Sequence, residues 1–331
     1  MVMCLLLMEA GWEGRVKALD VVTIGETMAL FIPTSVGPMR YAGQFEKSIG
    51  GAESNVAIGL SRLGHQCGWI SRLGQDEFGL YIRNFIRGEG VDTSQVHFDE
   101  KNSTAVFFKE RQMMQEPKIS YYRKNSAASE MSPDDLNEEY IAKANYLHVT
   151  GITPALSPSC KEMIYEAIRM AKKHGVTVVF DPNIRLKLWS NEEARETLMA
   201  IARESDIVLP GLEEGFILTG EIKPDAIANQ LIDNGAKLVV VKLGAEGAYY
   251  ANQTETGLVP GFPVEHVVDP IGAGDAFAAG LLSGLLREFP LREAVKLANQ
   301  VGAYALTVAG DVEGLPFWSQ VDPNRKQEVY R

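Results

Sequence analysis

The segment Asp269-Pro270-Ile271-Gly272-Ala273-Gly274-Asp275-Ala276-Phe277 sets three small residues and a carboxylate at the head of an apolar, helix-compatible stretch. Small residues let the backbone approach a ligand closely, and the helix that follows aims its unpaired N–H groups at that ligand. Such a helix start favours an anion through hydrogen bonds and through its dipole. A carboxylate in that place opposes simple anion binding. It suits a base that takes a proton from an attacking hydroxyl while the N–H groups stabilise a transferring phosphoryl group. The plain alternative is an ordinary capped helix after a glycine turn.

The elements that must position this segment alternate short β-branched runs with helical periods from about Asp20 onward. Strands are predicted at Val21–Ile24, Val176–Phe180, Ile207–Leu209 and Leu238–Val241. Helical stripes run through Val56, Leu60 and Leu63 up to Gly64, and through Met163, Ile164, Ala167, Ile168 and Ala171 up to His174-Gly175. Further helices are predicted at Asp225–Asn234, from Asp275 to Phe289, and from Leu291 to about Val308. Strands separated by helices imply right-handed crossovers and an α/β fold with a mostly parallel sheet covered on both faces. Two stretches, 31–49 and 103–123, lack helical period and carry Pro33, Pro38 and Pro117; they predict a small antiparallel flap. Three loops, Asp181–Arg185, Pro210–Glu214 and Lys242–Gly247, leave the carboxyl ends of predicted strands, the edge where open α/β sheets bind ligands.

The chain has 331 residues, long enough for one large domain with a small appendage. Its net charge of -11 argues against nucleic acid or an anionic membrane as main partner, and it obliges an anionic substrate to find locally placed cations. Cys4, Cys67 and Cys160 form neither a metal-ligand spacing nor an even disulfide set, which points to a reduced, cytoplasmic protein. The apolar run Met1–Met8 is too short to span a bilayer and no basic residue precedes it. Residues 1–17 are expected to be a loosely packed or disordered extension, or the trace of a true start at Val16.

The signature around Asp275 resembles the C-terminal motif of the PfkB (ribokinase-like) carbohydrate kinases, and Gly50-Gly51-Ala52-Glu53-Ser54-Asn55 resembles their N-terminal motif. The resemblance spans about Asp20 to Pro316. It implies a central α/β domain with a β-strand lid that often makes a homo-oligomer interface, ATP as phosphoryl donor, and Mg²⁺. Asp275 corresponds to the family's catalytic base, and Gly272, Ala273 and Gly274 to its anion hole. Lys242, Leu243, Gly244, Ala245, Glu246 and Gly247 look like the nucleotide loop, with Asn183, Ile184, Arg185 and Asn299 also on the nucleotide side. Asn55 either contacts substrate hydroxyls, as the motif implies, or caps its helix. The family's Asn-x-x-Glu metal motif reads Gly211 at its first position here. Glu214 is therefore either a metal ligand, acting through water, or a plain helix-start carboxylate.

Tyr121-Tyr122-Arg123 and Asp181-Pro182-Asn183-Ile184-Arg185 look like the branch of the family that phosphorylates 2-keto-3-deoxygluconate. Arg123 and Arg185 would meet the sugar acid and neighbouring phosphates, each charge-assisted contact being worth roughly 1.5–3 kcal/mol. The alternatives are an exposed strand residue for Arg123 and a local ion pair for Arg185. Phe107 stands where that branch often has Tyr: it can pack on a sugar but cannot donate a hydrogen bond. Asp311 matches a position that contacts substrate in the branch, or is a solvated loop carboxylate. Fructokinase and ribokinase are the competing assignments, and a non-catalytic sugar- or nucleotide-binding protein is the distant one. A dinucleotide oxidoreductase lacks support, because no Gly-x-Gly-x-x-Gly opens the first strand–helix unit.

Overall fold

The computed structural model describes residues 17–110 and 118–323, so the predicted extension (apart from Lys17), part of the second flap stretch and the chain end lie outside the described residues. The strands are β1 (Leu19–Ile24), β2 (Met28–Pro33), β3 (Phe45–Gly50), β4 (Cys67–Gly74), β5 (Val96–Asp99), β6 (Val106–Glu110), β7 (Lys118–Tyr122), β8 (Ala144–Thr150), β9 (Thr177–Asp181), β10 (Ile207–Val208), β11 (Leu238–Lys242), β12 (Ala248–Asn252) and β13 (Thr256–Val259). The helices are α1 (Ala52–Arg62), α2 (Glu77–Gly88), α3 (Glu138–Ile141), α4 (Pro158–Lys173), α5 (Asn191–Glu204), α6 (Leu212–Thr219), α7 (Pro224–Asp233), α8 (Ala273–Leu286), α9 (Leu291–Ala305) and α10 (Trp318–Val321).

A nine-stranded sheet runs β13-β12-β11-β10-β9-β8-β1-β4-β5, parallel from β11 to β5 and antiparallel only in the β11–β12 and β12–β13 pairs. Strands buried on both faces need near-continuous apolar runs, which is why β1, β9 and β11 centre on Val-rich stretches. Two apolar cores cover the two faces: Val21, Trp69, Val179 and Val240 pack toward α1, α8 and α9, while Val22, Leu147, Phe180 and Val241 pack toward α4, α5 and α7. Gly280 and Gly284 bring α9 against α8, since a Cβ on either would meet Ala298 or Ala294 Cα at 2.8 and 2.7 Å. The alternation of the crossover units is the one expected from the sequence. The stripe ending at Gly64 is α1, whose last carbonyls are closed by Gly64 at φ +89°, a left-handed turn that suits glycine.

The second sheet has four strands in the order β3-β2-β6-β7. Its outer pairs are antiparallel, as predicted, but β2 and β6 run parallel. The reason is connectivity: β2 and β6 each leave the large sheet on a separate excursion in the same direction, joined through β3, α1, β4, α2 and β5 rather than by a hairpin. Helix α8 starts at Ala273, two residues before the predicted start, and α9 ends at Ala305 rather than near Val308. Among the described residues no helix is long and apolar enough to cross a membrane.

Candidate active site

A cleft of ≈ 720 Å³ opens where the carboxyl edge of the large sheet faces the small one. Its floor is built by α8. Gly272 caps that helix at φ +81°, and a Cβ there would meet the Asp311 carbonyl at 2.7 Å, so only glycine fits comfortably. Gly272 and Gly274 line the cleft; Ala273 lies between them as the first helical residue.

Asp275 sits in the first turn of α8, buried to 9% exposure. Its Oδ2 accepts from Asn55 Nδ2 at 2.8 Å, and Asn183 Nδ2 lies 3.5 Å from Oδ1. Burial pushes the carboxyl up, and the like charges of Asp181 and Asp311 add to it, while the Asn55 hydrogen bond and Arg185 pull it back; it settles at about 7. Asn55 is the fourth residue of α1, not its cap. Gly51 holds the cap position, so the capping role considered for Asn55 is corrected and its amide is free to orient Asp275.

Lys242, the last residue of β11, carries the main cation of the floor. Its Nζ donates to both Asp181 oxygens at 2.9 and 2.7 Å and lies 3.8 Å from where a Gly274 side chain would begin. Burial would lower the Lys242 pKa, but the carboxylates of Asp181, Glu214 and Asp275 outweigh it and hold the group charged above its usual value. Leu243 and Gly244 follow into the cleft. Ala245, Glu246 and Gly247 turn away, with Gly247 (φ +102°) packed on the Val259 carbonyl, so half of the predicted nucleotide loop shapes the turn rather than the cleft wall. Asn299 is not brought to this cleft. It sits on α9 and donates to the carbonyls of Val259 and Pro260 at 3.2 and 3.0 Å.

Glu214 opens α6 and accepts from Gly211 N–H at 2.7 Å and Ile184 N–H at 3.0 Å. Each oxygen therefore has one backbone partner, and the side chain lines the cleft. Among the described residues no three acidic, His or Cys side chains gather as a metal cage. That donor set fits a Mg²⁺ that arrives on substrate phosphates and keeps most of its waters.

The opposite wall is the small sheet. Phe107 stacks on Tyr121 with ring centroids 5.6 Å apart, and both line the cleft with Met28 and Ile119. Tyr122 does not. It is 62% exposed and meets Phe108 on the outer face, because successive strand residues point to opposite sides; its place among the substrate contacts is corrected. Arg123 is neither exposed nor free: its side chain is 11% exposed and pairs with Glu26 at 2.5 Å, while its Nε has no partner. Arg185 is exposed at the cleft rim and makes no ion pair with another described residue. Asp311, only 7% exposed, lines the cleft and is not a solvated loop carboxylate; burial raises it to about 7 despite nearby Lys109.

In the N-terminal motif, Gly50 and Gly51 allow close approach, since a Cβ would meet Phe107 at 2.6 Å or the Glu26 carbonyl at 2.4 Å. Ala52 lines the cleft. Glu53 lies fully buried beneath it, accepting from Thr150 and Thr153 hydroxyls at 2.6 and 2.9 Å, and burial raises its pKa. Ser54 points away: it accepts from Thr27 Oγ1 and donates to the Gly51 carbonyl, which makes it a strut of the turn instead of a substrate contact. Sequence reasoning missed Glu26 and Lys109. Glu26 follows Gly25 at the carboxyl end of β1, the edge already singled out, and Lys109 shares the parity of Phe107 on β6, so both had a readable signal.

A model of the pfkB family carbohydrate kinases matches residues 18–318. The chain belongs to that family. It is similar to a 2-dehydro-3-deoxygluconokinase of Bacillus subtilis, 41% identical over 90% of this chain and 93% of the relative. A probable chloroplastic fructokinase of Arabidopsis thaliana is 36% identical over 89% of this chain and 79% of the relative. An uncharacterized sugar kinase from Pyrococcus horikoshii, solved in complex with ATP, superposes with a TM-score of 0.79 at 30% identity, covering 91% of this chain and 96% of that one. The family's fold is thus the frame in which the cleft residues are held.

Proposed function

We propose that this kinase transfers the γ-phosphoryl group of ATP to the 6-hydroxyl of 2-keto-3-deoxygluconate, with Asp275 as general base. The observation that carries the reading is a carboxylate at the mouth of a glycine-lined helix, oriented by Asn55 and poised at about 7. A carboxyl raised that far can still ionise near neutral pH and is basic enough to accept a proton. Asp275 removes the proton as the substrate oxygen bonds to the γ-phosphorus; the bond from that phosphorus to its bridging oxygen breaks, and ADP leaves. The N–H groups from Gly272 to Gly274, Lys242 and Arg185 offset the charge spread over the phosphoryl oxygens. Glu214 would hold a water of the shell of a Mg²⁺ bound with ATP, which would supply neutralising charge to the phosphates.

The sugar acid lies in this reading against Phe107 and Tyr121, its carboxylate shared between the open edge of the Arg123 guanidinium and Arg185 at the cleft rim. Its 41% identity to a 2-dehydro-3-deoxygluconokinase supports the assignment. One feature favours a neutral sugar instead: Glu26 already balances Arg123, so a second carboxylate there gains less. A coupled ADP-release assay over 2-keto-3-deoxygluconate, fructose and ribose decides. Preference for fructose would overturn the sugar-acid reading, and no phosphorylation of any would overturn the kinase reading.

The small sheet is read as a lid. Its outer face carries Phe108 in ring contact with Phe31, Phe45 and Tyr122, a surface suited to self-association, which light scattering of the purified chain would test. The buried free thiols Cys67 and Cys160 suit a reducing cytoplasm.

A further inference from the structure

We infer that Lys109 is a positioning residue of the transfer step: a buried ammonium that clips the small sheet to the loop carrying the anion hole. Lys109 lies on β6 two residues after Phe107 and therefore on the same, cleft-facing side. Its side chain is 5% exposed and ends against the Asp269 carboxylate, itself 5% exposed, with Asp311 Oδ1 at 3.7 Å. Asp269 opens the signature loop. Its oxygens accept from Ile271 N–H and Gly310 N–H, both at 3.2 Å, which ties the strand-to-helix segment 269–274 to the loop that bears Asp311. The Asp311 carbonyl in turn closes over Gly272. One ammonium thus touches the lid, the loop leading into the anion hole and the loop on its far side.

Charge, rather than anchorage, is what this arrangement uses. An apolar side chain would fasten β6 at lower desolvation cost, because burying an ion pair returns little net stability. Here the acids crowd: Asp269, Asp311 and Glu313, which accepts from Ser48 of β3, all lie on this side of the anion hole. Without a cation among them, Asp269 and Asp311 would repel each other and the incoming phosphates, and the loop would lose the geometry that presents Gly272 to Gly274.

The inference rests on the kinase reading, and the two fail separately: wild-type turnover on its best acceptor tests that reading, while the ratio of variant to wild type tests this one. Lys109→Met keeps the length and removes the charge; Lys109→Ala removes both and leaves room for a small cation. Both variants are expected to lose kcat on the order of 10²-fold, the effect of a misplaced reacting group, with the KM for ATP changed far less. Lys109→Arg should retain most of the turnover. Added ethylammonium should restore part of the kcat of Lys109→Ala and none of that of Lys109→Met, whose side chain fills the space. Wild-type kcat in Lys109→Met, even with a lowered melting temperature, would reduce Lys109 to an anchor and overturn the inference. So would a Lys109→Ala loss that ethylammonium leaves untouched.

Discussion

The two walls of the cleft are built on different principles. The floor, at the end of the large sheet, is rigid backbone: Gly272, Gly274 and the first turn of α8 sit on a helix whose remaining length is almost wholly buried. The wall contributed by the small sheet is side chain: Met28, Phe107 and Tyr121 project from strands whose own core is a handful of residues around Leu30, with Arg123 just past β7. Backbone N–H groups cannot be mutated away and serve any phosphoryl transfer, so the floor holds chemistry common to many acceptors. Side chains on alternate strand positions change one at a time, so we propose the small sheet as the place where acceptor choice is set. Perturbing the floor should therefore change kcat for every acceptor, and perturbing the wall should change the ranking of acceptors.

The largest effect is expected at Asp275. Asp275→Asn should cut turnover by at least ~10²-fold while ATP affinity stays near wild type; wild-type-like turnover would remove this carboxylate from the mechanism. In the wild type, kcat/KM should rise with pH through about 7, because the base must lose its proton, and then level off. Stability moves the opposite way. The folded carboxyl binds its proton more tightly than the unfolded one, whose ordinary value is 3.8, so its contribution falls as pH rises between those two values. Melting curves should show Asp275→Asn gaining on the wild type across that window and holding the gain above it.

Gly272→Ala is expected next in size. The left-handed backbone costs about 1–2 kcal/mol for a residue with a Cβ, and contact with the Asp311 carbonyl adds to it. Turnover should fall by roughly tenfold or more on every acceptor alike, as read from parallel assays with a sugar acid and a neutral sugar. An effect on only one acceptor would break the distinction between floor and wall.

Arg185→Leu should sharpen it. Loss of a charged contact worth about 1.5–3 kcal/mol predicts a roughly 10- to 100-fold drop in kcat/KM for the keto acid and much less for fructose. Equal losses would place Arg185 on the phosphates alone. The smallest effect belongs to Tyr122→Ser, on the outer face: kinetics per active site should stay within about twofold, the usual range for a surface change, while light scattering reports any change in assembly.

Much of this site is legible in the amino-acid sequence. Asp275 and the glycines of its turn are neighbours in the chain, so their chemistry is local and a short segment displays it. The three loops were placed on one edge because parallel strands must deliver their carboxyl ends there. What stayed hidden were pairings between distant elements. Arg123 looked like a free guanidinium until Glu26, far upstream, was found against it. Asn55 looked like a cap until the fold brought it within 2.8 Å of Asp275. Tyr122 shares with Tyr121 the motif that resembles the keto-acid branch, although a pleated strand sends the two to opposite faces.

Apolar period, glycine placement and the head of α8 were determined by the sequence alone, since propensity, turn chemistry and helix-end electrostatics act over a few residues. The pKa of Asp275, the partner of Arg123 and the burial of Lys109 between Asp269 and Asp311 were decided only by tertiary structure. Each depends on the distance between charges remote in the chain and on the water excluded around them, and neither quantity exists until the two sheets close on one another.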